Sequence, residues 1–337
     1  MSLNKRLVTT GASSGISAAF NVLAYSGNSS TQSLNYGFKP GIFWPKSRSA
    51  SGRNYLTYNL GGTGKYLFPS STQIEESTGS SISYTNSGID LGNSFGWNWS
   101  GSTYVAPAWG LPASGSSNTN GSITTTTYAY PEAGQSMFTY SGSGADATIG
   151  HGLSSTPEFF VIKTRGHVSD WPAYHKDMSG NNYRFVFNSD TAENTSNNPW
   201  NSTAPTSSVI TINGGAGNVN ISRDFWGMAF HSVDGYCKIG SYTGTGSSGN
   251  AQDIGFQPGL VIIKSTAQYN WNMYDAVRPS GSLTGRYMLM VNSHDSEYTT
   301  SVVHIDFTTT GFSFPNGYDG TNKSGQKYIY MAWKISV

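Results

Sequence analysis

The chain has 337 residues, of which 11% are charged and 14% aromatic, and its formal net charge is +1. That balance argues against disorder, which goes with high charge and few aromatics, and the lack of a long basic block argues against a phosphate-tracking groove. The single Cys237 excludes an intrachain disulfide and a CxxC zinc site, and no stretch approaches the roughly eighteen apolar residues of a spanning helix.

Residues 1–19 read as an N-terminal arm without the apolar core of a signal peptide. Within the arm, LVTTGASSGI (7–16) looks like the strand, TGxxxG loop and helix that cradle a dinucleotide pyrophosphate. Its surroundings oppose that reading. Residues 31–58 hold no carboxylate for a ribose hydroxyl, and SAAFNVLAYSGNSS turns strand-like and breaks. A YxxxK occurs at Tyr330–Lys334, but YIYMAWKISV is an apolar, aromatic run that predicts a strand, not a helix face. A nicotinamide enzyme is set aside, and TGASSGI is read as a small-residue hinge.

Beyond the arm, the chain repeats itself three times. YSGNSS (25–30), YSGSGA (140–145) and YTGTGS (242–247) open the copies. GFKPGIFWPKS, LSSTPEFFVIKT and GFQPGLVIIKS follow, with Lys46, Lys163 and Lys264 each six positions after Pro40, Pro157 and Pro258. Then comes an aromatic pair, Tyr55/Tyr58, Trp171/Tyr174 and Trp271/Tyr274, and each copy closes on YVAPAW, FWGMAF or YIYMAW. The pair fits either opposite faces of one strand or a short helical turn. Short apolar runs between Gly, Asn and Pro turns predict strands throughout.

The expected fold is therefore all-β, with three tandem antiparallel β-sandwich domains of jelly-roll or lectin-like type, each of about 100 residues. Their boundaries are 20–110, 137–234 and 235–337, with residues 111–136 as a Ser/Thr/Gly-rich linker. Asp234-Gly235 marks a tight turn between the second and third units, predicting a rigid pair with the first unit more loosely attached. Pro45 and Pro107 interrupt strands that run unbroken in the other copies. The three lysines read as solvated strand ends whose methylenes pack.

Candidate chemistry is sparse. The six histidines form no HxH, HxxxH or HExxH spacing, and the acidic residues lie singly, so neither a metal site nor a cofactor is expected. Glu76, Glu193 and Glu297 recur after the middle strands, which suits a turn or edge role better than a unique carboxylate pair. No catalytic residue is assigned. Aromatics in polar settings, GWNWSGSTY (96–104) and NNPWNSTAP (197–205), could stack on sugar rings while neighbouring amides bind hydroxyls. The glycan-contact candidates are Trp97, Trp99, Tyr104, Trp200, Trp171, Tyr174, Trp271 and Tyr274.

With MSLNKRLVTTGAS at its start and YTGTGS, GFQPGLVIIK, WNMYDAVR, DFTTTGF and YIYMAW in its last unit, the sequence resembles a family of multi-copy β-domain proteins from tailed bacteriophages, especially marine phages and cyanophages. The resemblance covers nearly the whole chain and weakens in unit one, at Pro45 and APAW. It implies a non-enzymatic virion surface protein: a tail fibre or appendage, or a capsid-bound knob or decoration. Such a protein is made in the host cytoplasm without a signal peptide. Its expected partners are other virion proteins, host surface polysaccharide and further copies of itself, with neither nucleic acid nor membrane insertion. Leu3, Lys5, Arg6, Leu7 and Val8 are the expected anchor, since an extended arm can add a strand to a partner's sheet. The alternative is a capsule- or glycan-degrading depolymerase of a phage particle.

Overall fold

A computed structural model describes residues 19–49, 54–92, 95–278 and 286–335. The arm residues Leu3, Lys5, Arg6, Leu7 and Val8, and the TGASSGI string, lie outside the described residues. The protein is all-β: apart from one 3-10 turn at Pro131–Ala133, the described regular structure is antiparallel strand.

Each unit is a two-sheet sandwich with the same strand order. In unit three the larger sheet runs Cys237–Thr243, Lys327–Trp333, Leu260–Ser265, Asn272–Asp275, Leu289–Met290, so the closing strand lies between the first two. Unit two repeats this as Gln135–Ser141, Asp224–Phe230, Phe159–Thr164, Pro172–His175, Phe185–Val186. Unit one does so as Phe20–Ser26, Thr103–Gly110, Pro40–Phe43, Leu56–Leu60, Thr63–Leu67. A smaller sheet completes each sandwich, such as Gln32–Asn35, Gly88–Leu91 and Ile82–Tyr84 in unit one.

The unbroken apolar runs are explained by burial on both faces of the larger sheets. Along the strand Leu260–Ser265, Val261 and Ile263 face the sandwich interior with Phe312 and Phe314. Leu260 and Ile262 face the other way, into a cluster shared by all three units. A strand covered on one side alternates apolar with polar, whereas one covered on both sides cannot. Units one and three keep sandwich interiors of their own, but the shared cluster joins all three units, so they are not independent tandem domains. The centre of that cluster is a triangle of equivalent closing-strand residues, Trp109, Phe230 and Trp333, with ring centroids 6.0, 5.2 and 5.3 Å apart. The three units thus form a closed ring about a pseudo-three-fold centre, and unit one is as firmly built in as the others.

One further expectation is corrected. Residues 111–136 are not a free linker. Their strands Ser116–Asn118 and Thr125–Tyr130 extend the larger sheet of unit two by pairing outward from Gln135–Ser141. The strands flanking the Asp234-Gly235 turn belong to different sheets, so the turn carries the chain from one unit into the next. Pro45 and Pro107 do interrupt unit one. Its closing strand pairs with Pro40–Phe43 and Lys46–Ser47 as two short ladders, where units two and three have one continuous ladder.

Candidate functional site

The opening motif of each unit is a structural latch built around a buried asparagine that the sequence reading missed. Asn98, Asn220 and Asn322 are each fully buried, and their Oδ1 atoms accept the amide N–H of Asn28, Ser143 and Thr245 at 3.1, 2.8 and 2.9 Å. Their backbone carbonyls accept from Ser29, Gly144 and Gly246, all at positive φ. The motif tyrosines, Tyr25, Tyr140 and Tyr242, donate their hydroxyls to the carbonyl just before each asparagine. The motif glycines, Gly27, Gly142 and Gly244, face the carbonyl just after it, where a Cβ would collide with Trp99, Ile221 or Lys323 backbone oxygen. The recurring Tyr-x-Gly is thereby accounted for atom by atom.

The second motif forms the seams between units. Lys46, Lys163 and Lys264 are fully buried, not solvated. The Lys46 ammonium donates to Ser293 carbonyl of unit three at 2.8 Å, that of Lys163 to Thr72 carbonyl of unit one at 3.4 Å, and that of Lys264 to Asp190 carbonyl of unit two at 3.4 Å. Each lysine therefore grips the preceding unit, and the order closes on itself. Burial lowers Lys46 and Lys264 to about 7 and Lys163 to about 8. Two residues beyond each lysine, the carbonyls of Arg48, Arg165 and Thr266 accept the N–H of Glu297, Glu75 and Glu193. The recurring acid of unit one is therefore Glu75; Glu76 lies one residue out and accepts the Tyr66 hydroxyl. Glu297 and Glu75 form two-pronged ion pairs with Arg48 and Arg165, while the Glu193 carboxylate turns to Ser179.

The aromatic pair is also shifted by one in unit one. Thr57, Tyr174 and Tyr274 pair with Phe43, Phe160 and Val261, the equivalent second-strand residues, which makes Asn54 the counterpart of Trp171 and Trp271. Trp171 and Trp271 donate their indole N–H to Ser71 and Val186 carbonyls of the preceding unit, and the Asn54 amide does the same to Val291. Trp44 fills the space left by the smaller residue and donates to Asn54 Oδ1 at 2.6 Å.

These placements correct most of the glycan-contact candidates. Trp97, Tyr104, Trp200, Trp171, Tyr174, Trp271 and Tyr274 are buried, in latches, seams or sandwich interiors, where a sugar cannot reach their faces. The polar neighbours of Trp97 and Trp200 suggested exposure, but their rings pack on Tyr55, Tyr66 and Phe95 and on Phe160 and Tyr174. Trp99 is the exception, at 48% exposure. Among the described residues no group of three or more His, Cys, Asp or Glu could hold a metal. His151 and His175 are buried, accept the N–H of Leu153 and Asp177 on Nδ1, and are lowered by burial to about 4.

Latches within units and seams between them define a single-chain, internally three-fold all-β protein. The chain belongs to the DUF7483 family, described as a domain of unknown function, whose model matches residues 16–336 and so spans the whole ring. No curated protein and no solved structure matches it.

Proposed function

We propose that the protein is a non-enzymatic component of a phage particle surface, a tail fibre or appendage or a capsid-bound knob or decoration. Its N-terminal arm would anchor it, and its outer surface would contact host surface glycans. The observation that carries this reading is the position of Ala19, the last residue of the arm. Ala19 carbonyl accepts Gly110 N–H and the Gln135 side-chain amide, and Gln135 in turn accepts the Tyr236 hydroxyl, so the arm joins the ring where all three units meet. Phe20, the next residue, packs against Trp109 and stacks on Trp333 of the central triangle. An arm attached at that point carries the whole rigid ring, which suits a body held out from a larger assembly. The recurring lysines, glutamates and indoles support the same reading, because they are spent on holding units together.

The test is antibody labelling of intact particles by electron microscopy, with the full chain and with residues 1–12 deleted. Label on particles carrying the full chain, lost on deletion, is expected. Unlabelled full-chain particles would reject the virion reading, and undiminished label after deletion would reject the anchor. Release of reducing sugar from capsule, abolished by changing one carboxylate pair, would favour the depolymerase instead.

A further inference from the structure

We infer that the outer sheet of unit one carries a binding groove for an uncharged polysaccharide chain, with Trp99 at one end and Lys39 at the other. The inference rests on the proposed contact with host glycans and places that contact on this chain.

The three copies act as internal controls for one another. The residue after each latch asparagine uses its carbonyl in the same way in every unit, yet its side chain is Trp99, Ile221 or Lys323. The latch therefore makes no demand on that side chain. Eight of the nine tryptophans have no more than 2% of their surface exposed, whereas Trp99 has 48%. A large aromatic that neither packs in a core nor recurs is free to serve a contact.

Trp99 itself lines no depression, but its neighbour Asn98 ties it to a polar surface on the smaller sheet. Gln32 donates to Asn98, the residue before Trp99, at 2.5 Å and also lines a depression of about 320 Å³ with Ser33, Ser80, Ser83 and Asp90. Ser83 is shared with a second depression of about 640 Å³, lined further by Asn59, Ser77, Tyr84 and Lys39. Hydroxyls and amides, which both donate and accept, match the hydroxyls of a sugar chain. Asp90 accepts the Ser33 hydroxyl at 2.6 Å and has lone pairs left for others. One carboxylate and one ammonium among the lining residues cancel, so the groove has no electrostatic preference for a polyanion. The C–H face of a sugar ring is apolar and flat, which is what an exposed indole covers while the ring hydroxyls point to polar neighbours.

Affinity electrophoresis of the full-length protein in gels containing dextran, galactan, mannan or dextran sulfate tests this. Retardation by at least one of the three neutral polymers, and not by dextran sulfate, is expected. Trp99→Ala and Ser83→Trp, both at exposed positions, should each weaken it by about tenfold or more with unchanged melting temperature, while Val168→Ser on unit two should not. No retardation by a neutral polymer, retardation by dextran sulfate alone, or full binding by both groove variants would overturn the inference. Particle labelling of Ser83→Trp separates the two proposals. Labelled particles without neutral-glycan binding in the unaltered chain reject the groove alone, and glycan binding without label rejects the virion role alone.

Discussion

Gly27, Gly142 and Gly244 show how one missing carbon decides a motif. Their φ angles lie outside the positive region that favours glycine, so the requirement is one of space: each sits against a backbone carbonyl that a flexible neighbour cannot move aside. The carbonyl is itself fixed, because the adjacent asparagine is buried and hydrogen-bonded on both faces of its amide. Gly142→Ala should therefore cost roughly 1–3 kcal/mol, the usual range for forcing atoms into a packed site. Gly215→Ala, exposed and with no atom closer than 3.9 Å to the added carbon, should stay within about 0.5 kcal/mol of the parent. Urea unfolding midpoints compare them, and equal midpoints would mean that the latch yields without cost.

At the scale of elements, unit one solves the seam differently from its siblings. Where units two and three place Val161 or Ile262 on the second strand and a tryptophan on the third, unit one places Trp44 and Asn54. The indole has changed strands, and the asparagine supplies the hydrogen bond across the seam. Trp44→Val alone leaves a cavity and should cost roughly 2–4 kcal/mol; Asn54→Trp alone overpacks and should cost roughly 1–3 kcal/mol. Together they restore the pattern of the other units, so the double variant should be more stable than the sum of the two losses by about 1 kcal/mol or more. A thermodynamic cycle measured by denaturant unfolding checks this, and simple additivity would show that the two residues do not substitute for one another.

For the whole molecule, the shared core predicts one cooperative transition, because removing any unit bares the Trp109, Phe230 and Trp333 triangle. Calorimetry should give a single peak; three resolved peaks would contradict the ring. Its pH dependence follows from the buried groups. His151 and His175 sit near 4 in the fold, so the unfolded chain holds more protons between there and about 6.5, and stability rises with pH across that window. Lys46, Lys264 and Lys163, lowered to about 7, 7 and 8, continue the rise toward pH 10, since the unfolded lysines remain protonated. Above pH 10 the sign reverses, because burial raises Tyr36, Tyr140 and Tyr242 and the unfolded tyrosines lose protons first. Melting temperatures should peak between about pH 9 and 10, and a fall from pH 7 to 9 would contradict the buried lysines.

The β class, the three-fold repetition and the order of its motifs were legible along the chain, because periodic burial and turn residues are local properties. So was the interruption of unit one, since a proline declares its missing N–H wherever it stands. The pairing of Asn54 with Trp171 and Trp271, and of Glu75 with Glu193 and Glu297, was one residue off in the sequence alone: register is set by cross-strand partners, and a neighbouring tyrosine or glutamate imitates the pattern. Burial of Lys46, Lys163 and Lys264 was invisible for a further reason. A lysine after an apolar run has a solvated end unless something covers it, and here the cover is a carbonyl from another unit, 247 positions away for Lys46. Local chemistry determined what each unit is; only the closure of three units on one core decided which of their polar groups water can still reach.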